Sequence, residues 1–361
     1  MGEKNTKQWI TAQDGLDNIR LVDAPEPERL RDGEVLVRIH CVALNFRDTE
    51  VCMGHYSHHK TLEQGTPIVP CSDMCGAIER LGPGNDSSGL HEGDRVMGIF
   101  NQTHLKGQIT EKDMSSGLGF PLPGVLTQYR VFPAYGLVKV PDYLKDDEAA
   151  TLPIAAVTAW MAINTFQPIG QPLTGKDKVV LLQGTGGVSI SGLQIAKALG
   201  LTAIVTSSSD AKLDRARKLG ADHTINYKTT PEWQDKVLEL TGGKGADVIF
   251  ETGGAETLEK SFSCVAYGGL ISAIGYLSGK EDAPGSRINA NVLALRRNVT
   301  LKGMLNGPKD RFEEMLDLYG REQIHPVVDR TFEFEQAKDA LKYLAGGSHF
   351  GKVLVKGPSL G

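Results

Sequence analysis

The chain has few cysteines, no long apolar run and little excess charge. Five cysteines in 361 residues are an odd number. They rule out complete pairing into disulfides and suit a reducing, cytoplasmic compartment. No apolar stretch is long enough to span a bilayer. The start, Met1-Gly2-Glu3-Lys4-Asn5, lacks the apolar centre expected of a signal peptide. A net charge of −5 offers no basic surface to nucleic acid or to an anionic membrane. A small molecule is the expected partner, and a homodimer stays open because the sequence does not fix the oligomeric state. Glycine, by contrast, is plentiful at 42 residues, as suits a turn-rich α/β chain long enough for two cores.

The richest segment is Val179-Val180-Leu181-Leu182-Gln183 followed by Gly184-Thr185-Gly186-Gly187-Val188-Ser189. An apolar run meets a glycine-rich turn, and a helical stretch, Ser191 to Leu199, follows and closes at Gly200. This strand–turn–helix context is the one in which such a turn holds a dinucleotide. The first glycine permits the tight turn and the second lets the backbone approach a pyrophosphate. Free N–H groups at the helix start attract the anion. The sixth position of the pattern is Ser189 where a glycine normally allows close helix–strand packing. Serine is small enough to stand there, and it can cap the helix or reach a phosphate.

The next strand, Thr202 to Thr206, lacks the carboxylate that grips a ribose 2′-OH in NAD-preferring sites. It runs into Ser207-Ser208-Ser209, and the first acid, Asp210, is expected to cap the following helix, Ala211 to Leu219. A 2′-phosphate is therefore not repelled. Ser207, Ser208 and Lys212 can donate to it, and NADP(H) is the expected cofactor. Lys212 also reads as a solvated helix residue.

Up to about Pro141 the chain shows short alternating runs such as Glu34-Val35-Leu36-Val37-Arg38-Ile39-His40, which read as a mainly β domain. A helical segment is expected over Asp146 to Phe166. Strands then alternate with helices at Val179–Gln183, Thr202–Ser207, His223–Tyr227, Ala246–Glu251, Leu270–Gly275 and Val299–Met304. That pattern predicts a parallel sheet covered on both faces. Two helices, Lys309 to Arg321 and Glu335 to Leu344, lead to a last strand, Lys352 to Lys356, outside the alternation. The long loop Gln102 to Gly124 is of a kind that is often functional or mobile.

Several motifs together carry a family resemblance. They are Ala43-Leu44-Asn45-Phe46-Arg47-Asp48-Thr49, Gly93-Asp94-Arg95-Val96, Ala149-Ala150-Thr151-Leu152-Pro153, the turn at Gly184, Leu219-Gly220-Ala221-Asp222 and His349-Phe350-Gly351-Lys352-Val353. Over nearly its whole length the chain resembles the medium-chain dehydrogenases/reductases, in the branch with quinone oxidoreductases and enoyl reductases. The resemblance implies an α/β architecture with a GroES-like β-barrel catalytic domain and a Rossmann doubly wound parallel-sheet cofactor domain. It places the discontinuous catalytic domain at 1–155 plus 305–361 and the NADP-binding domain at 156–304.

The same family includes zinc alcohol dehydrogenases, and the resemblance shows where their ligands would stand. Asn45 takes the place of the Cys, Ser72-Asp73 that of His-Glu, and Leu152-Pro153-Ile154-Ala155 offers no third ligand. A structural zinc lobe would need several cysteines between about residues 95 and 130, and none is there. Cys71 and Cys75, expected to flank one strand, lie about 13 Å apart at ~3.3 Å per residue. Cys52 with His55, His58 and His59 reads better as a solvated loop than as a metal cluster. No metal is expected.

Without a metal, the expected reaction is hydride transfer to an electron-poor carbon, as in a conjugated enone or quinone. The charge then spreads to an oxygen that needs only hydrogen-bond donors and a proton. The resemblance points to Asn45, beside the nicotinamide, and to Tyr56, in the substrate pocket. Asn45 either orients the nicotinamide or donates to the substrate oxygen, and Tyr56 is either a donor or a wall. Asp48 is a candidate relay residue, or a local ion-pair partner of Arg47. For the cofactor the resemblance adds Thr158 near the nicotinamide and Lys212 with Tyr227 at the 2′-phosphate. It also adds Gly253 and Gly275 at strand ends, and Asn306, Phe350 and Lys352 closing over the cofactor. The alternatives are a zinc-free NADP-dependent alcohol dehydrogenase or ketone reductase, and an NADPH-binding protein with little catalysis.

Overall fold

In the computed structural model, residues 5–56, 65–85, 88–281 and 288–358 are described. Two compact units divide the chain. One holds Met1–Val157 with Gly307–Gly361, the other Thr158–Asn306.

The first unit begins with a ribbon of β1 (Asn5–Ile10) and β2 (Arg20–Pro25). Its main sheet is built on β3 (Glu34–Leu44), long enough to pair with β4 (Asp73–Leu81) along one edge and β6 (Tyr129–Pro133) on part of the other. β5 (Arg95–Gly98) and β7 (Leu137–Lys139) extend it. One face of β3 sends Val35, Val37 and Ile39 into one core with Met74, Phe132 and Leu126, while Leu36 and the run Cys41 to Leu44 are buried as well. The loop after β5 is folded rather than loose. Thr110 caps a short helix, Glu111–Met114, and Asp113 accepts from Thr103 Oγ1 at 2.7 Å.

The second unit is a six-stranded parallel sheet of β8 (Val179–Gln183), β9 (Thr202–Ser207), β10 (His223–Asn226), β11 (Ala246–Glu251), β12 (Val265–Ala273) and β13 (Thr300–Gly303). Its order is β10-β9-β8-β11-β12-β13. Every residue of β8 is buried, as a central strand covered on both faces requires. The order reverses between β8 and β11, so the binding crevice of such a sheet lies at their carboxyl ends. β12 begins earlier than its apolar pattern suggests, at Val265.

The chain then returns to the first unit. β15 (Lys352–Lys356) inserts between β14 (Val328–Phe332) and β3. The strand left outside the alternation is thus a central barrel strand. Its register pairs Val353 with Leu44, while Ala43 pairs with Asp73. The starts of β15 and β4 and the end of β3 therefore meet at Leu44-Asn45.

Candidate functional site

The cofactor unit presents mostly backbone. Gly184 leaves β8 with φ +79°, the left-handed region glycine favours, and open space surrounds its missing side chain. Gly186 begins the helix Gly187–Ala198, which has no side-chain cap. Its first N–H groups, with Thr185 and Val188 beside them, are the partners an anion would take. Ser189 neither caps the helix nor turns outward. Its hydroxyl donates back to Gln183 O at 2.7 Å. Close helix–strand packing is made instead by Gly192, where a Cβ would lie 2.6 Å from Phe250 Cε2 and 2.9 Å from Leu182 Cδ2.

Beneath the turn lies a buried network that sequence reading missed. Gln183 Nε2 donates to Glu251 Oε2 at 2.9 Å and to Ser261 Oγ at 2.8 Å, and Gln183 Oε1 accepts from Thr252 N at 3.1 Å. Glu251 Oε1 accepts the N–H groups of Gly253 and Gly254 at 3.0 and 2.9 Å and the hydroxyl of Thr257. One carboxylate thus ties together the loops that leave β8 and β11. Gly275 closes the next loop by donating to Glu251 O at 3.2 Å. The available signal was an acid ending a buried strand just before Thr252-Gly253-Gly254. Thr158 is 1% exposed and its Oγ1 meets no hydrogen-bond partner. Such an orphan, an open glycine turn and an uncapped helix start fit a dinucleotide.

At the end of β9, Ser209 caps the helix Asp210–Lys218 by accepting from Lys212 N at 3.4 Å. Asp210 is not the cap. It is the first helical residue, and its carboxylate accepts from Asn226 Nδ2 at 2.8 Å. Tyr227 N donates to Ser207 O at 3.1 Å. Ser207, Ser208, the first turn holding Lys212, and the half-exposed Tyr227 therefore gather at the ends of β9 and β10. Asn306 is buried at the end of this unit.

The barrel unit presents charged side chains, most of them buried. Asn45 precedes the helix Phe46–Cys52, and Asp48 Oδ2 accepts Asn45 N at 2.8 Å. Asp48 Oδ1 accepts from Arg47 Nη1 at 3.1 Å, so the expected ion pair is present and both carboxylate oxygens are engaged. Burial pushes the Asp48 carboxyl up to about 6, against the pull of Arg47. Arg47 also donates to Leu118 O and Phe120 O, at 3.1 and 3.3 Å, and lies 4.9 Å from the Tyr56 ring and 4.8 Å from the Phe100 ring. Tyr56 stands edge-on to Phe120 and packs with Val51 and Ile68.

Lys352 begins β15 in the barrel unit. Its ammonium is buried in the barrel unit, donating to Leu44 O at 2.8 Å and Asn45 Oδ1 at 2.7 Å, with Asp73 Oδ2 at 3.7 Å. Phe350, two residues before Lys352, is 1% exposed. Asp73 accepts from Ser72 Oγ and from Ile154 N, each at 3.1 Å. Ile154 lies in a π-helical turn, Leu152–Ala156, loosened where Pro153 lacks an N–H. Burial raises the Asp73 carboxyl and lowers the Lys352 ammonium, and each opposes the shift of the other. Cys71 reaches this cluster at φ +69°, with Gly119 and Gly124 pressed against its backbone.

Comparison with known proteins now bears on both units. Residues 31–142 match the alcohol dehydrogenase GroES-like domain, and residues 187–321 match the zinc-binding dehydrogenase family. A zinc-type alcohol dehydrogenase-like protein of Schizosaccharomyces pombe is 40% identical over 95% of this chain and 96% of its own length. The chain belongs to the medium-chain dehydrogenase/reductase family. A 2-haloacrylate reductase of a Burkholderia species is 29% identical, over 90% of each chain. The structure of an NAD-dependent alcohol dehydrogenase matches with a TM-score of 0.81 and 30% identity, covering 97% of this chain and 99% of its own. This medium-chain dehydrogenase/reductase is thus an oxidoreductase with a nicotinamide cofactor, its Rossmann and GroES-like units as the sequence implies.

A zinc ion does not fit the residues present. The four ligand positions do converge, as Asn45, Ser72, Asp73 and Ile154, but they supply an amide, a hydroxyl, a carboxylate and a backbone N–H. None is the thiolate or imidazole that zinc prefers, and the amide oxygen and the carboxylate already face the Lys352 ammonium. Among the described residues, no three His, Cys, Asp or Glu side chains gather as a metal site. His58 and His59 lie outside the described residues. Cys75, in β4, is paired across the strands with Cys41 and donates to Asp146 Oδ1 at 3.6 Å, while Cys71 precedes the strand.

Proposed function

We propose that this medium-chain dehydrogenase/reductase is an NADPH-dependent, zinc-independent reductase of conjugated enones or quinones. The observation that carries the reading is the buried cluster of Lys352, Asp73 and Asn45, which puts an ammonium and an amide where metal relatives hold their ligands. The bound cofactor supplies the hydride. Asn45 and Tyr56 are the donors for the substrate oxygen, and Thr158 with the Gly184–Val188 turn holds the cofactor. Lys212, Tyr227, Ser207 and Ser208 receive its 2′-phosphate, with no carboxylate at the end of β9 to repel it. Gly253 and Gly275 keep the strand ends open to it, and Asn306 flanks them.

A metal Lewis acid contributes several kcal/mol to carbonyl reduction, and each ~1.4 kcal/mol is tenfold in rate. A conjugated acceptor needs less of that help, which favours it over an isolated ketone. The reductase relative named for 2-haloacrylate, an alkene conjugated to a carboxylate, supports the same choice. The likeness to an NAD-dependent alcohol dehydrogenase favours a second reading, ketone or alcohol chemistry with NAD(H). A cofactor-oxidation screen decides between them. The best enone or quinone is expected to turn over at least about tenfold faster than its saturated ketone, with NADPH ahead of NADH. Faster ketone reduction, or alcohol oxidation with equal use of both cofactors, overturns the proposal.

A further inference from the structure

The orientation of the Asn45 amide is fixed from both ends. Its Oδ1 accepts from the Lys352 ammonium at 2.7 Å. Its NH2 lies on the side of the Asp73 carboxylate, which it holds down in pKa. Lys352 and Asp73 are themselves 3.7 Å apart, at 5% and 0% side-chain exposure. The amide dipole is thus bracketed by an ion pair, cation at the oxygen and anion at the nitrogen. Turning the amide over would set its oxygen against a carboxylate and its NH2 against an ammonium. In a buried site, where charges are poorly screened, both contacts are strongly unfavourable. Asn and Gln amides ordinarily settle their orientation by the network around them, and here the network permits one.

That one orientation leaves Nδ2 buried with no hydrogen bond of acceptable geometry. Asp48, on the Phe46–Cys52 helix, is spent on Asn45 N and Arg47. The remaining amide hydrogen suits an incoming carbonyl oxygen.

We propose that Lys352, with Asp73, is a positioning residue that locks the Asn45 amide with its NH2 presented to a carbonyl oxygen of the bound ligands. The inference rests on the reductase reading above. The oxygen belongs to the acceptor substrate or to the nicotinamide carboxamide, and the two sources are separable. A substrate oxygen makes the effect visible in kcat/KM for the acceptor with cofactor affinity unchanged. A carboxamide oxygen makes it visible in the dissociation constant for NADPH.

The test is a double-mutant cycle between Lys352→Met and Asn45→Ala. It is run on the full chain with whichever acceptor the wild-type protein reduces fastest, alongside fluorescence titration of NADPH. A wrong acceptor class then counts against the functional reading while the cycle stays readable. In the wild-type background, Lys352→Met should cost about 30-fold or more in one of the two readouts. In the Asn45→Ala background, it should cost about twofold or less. Equal losses in both backgrounds would show a merely structural lysine and overturn the proposal. Lys352→Met leaves Asp73 buried without its cation, so the cycle is repeated with Asp73→Asn/Lys352→Met, which removes both charges. If that variant regains the wild-type melting temperature and also its activity, the positioning role is refuted. Regained stability with activity still low supports it.

Discussion

The two units hold their candidate groups by opposite means. In the Rossmann unit the groups are backbone N–H bonds at one strand end and one helix start, and the acid beneath them, Glu251, is saturated with donors. In the barrel unit the groups are side chains brought from β3, β4 and β15 to a single corner, and charge there is buried with only partial compensation. The first arrangement is rigid because every polar atom of the network has a partner. The second keeps a donor in reserve and is stable only while its ion pairs are intact. Breaking a buried pair by removing one partner costs far more than the pair contributes.

The contrast breaks most visibly at Glu251. Glu251→Ala strands Gln183, Ser261, Thr257 and two backbone N–H groups, and should destabilise the protein by about 3 kcal/mol or more. Denaturant unfolding measures this, and a loss below about 1 kcal/mol would show the network to be dispensable.

A pH titration of stability tests the other side. The Asp48 carboxyl is raised to about 6 when folded, above its ordinary value near 4 when unfolded. The folded state therefore holds this proton more tightly. The stability it adds is fully present below about pH 4 and is lost as pH rises through about 6. The loss is on the order of 2–3 kcal/mol. Asp48→Asn should remove that slope, so the difference between the two stability curves should change between pH 4 and 6. Parallel curves across this window would mean that the carboxyl titrates normally.

The smallest expected effect lies at the outer edge of the Rossmann unit. Lys212→Ala should weaken NADPH about tenfold, or ~1.4 kcal/mol, and leave NADH unchanged. Fluorescence titration of both cofactors reads this directly, and equal weakening of the two would deny any contact with the 2′-phosphate.

What could be read from the chain divides along the same line. The Gly184 turn and the serine-rich end of β9 lie in contiguous sequence, so local chemistry exposes them. The alternation of strand and helix likewise marks the parallel sheet. Ser189 and Asp210 misled because small polar residues have several local partners, and packing chose Gln183 O and Asn226. The contact of Lys352 with Asn45 was not legible because the two lie 307 residues apart. Only the insertion of β15 beside β3 joins them, and that strand falls outside the alternating pattern. Glu251 was hidden for a related reason. A carboxylate at a strand end reads as ordinary until the donors from Gly253, Gly254 and Gln183 are seen to converge on it.

Gly192 works as a spacer of zero thickness. With no side chain, it lets the helix that begins under the glycine turn rest against Phe250 and Leu182. The height of that helix above the sheet is set there, one turn below the amides that would meet a phosphate. Any larger residue acts as a shim, lifting the helix start and changing the depth of the anion seat without touching a single atom of it. The gauge of the cofactor cradle is thus held by a residue that has no part in binding.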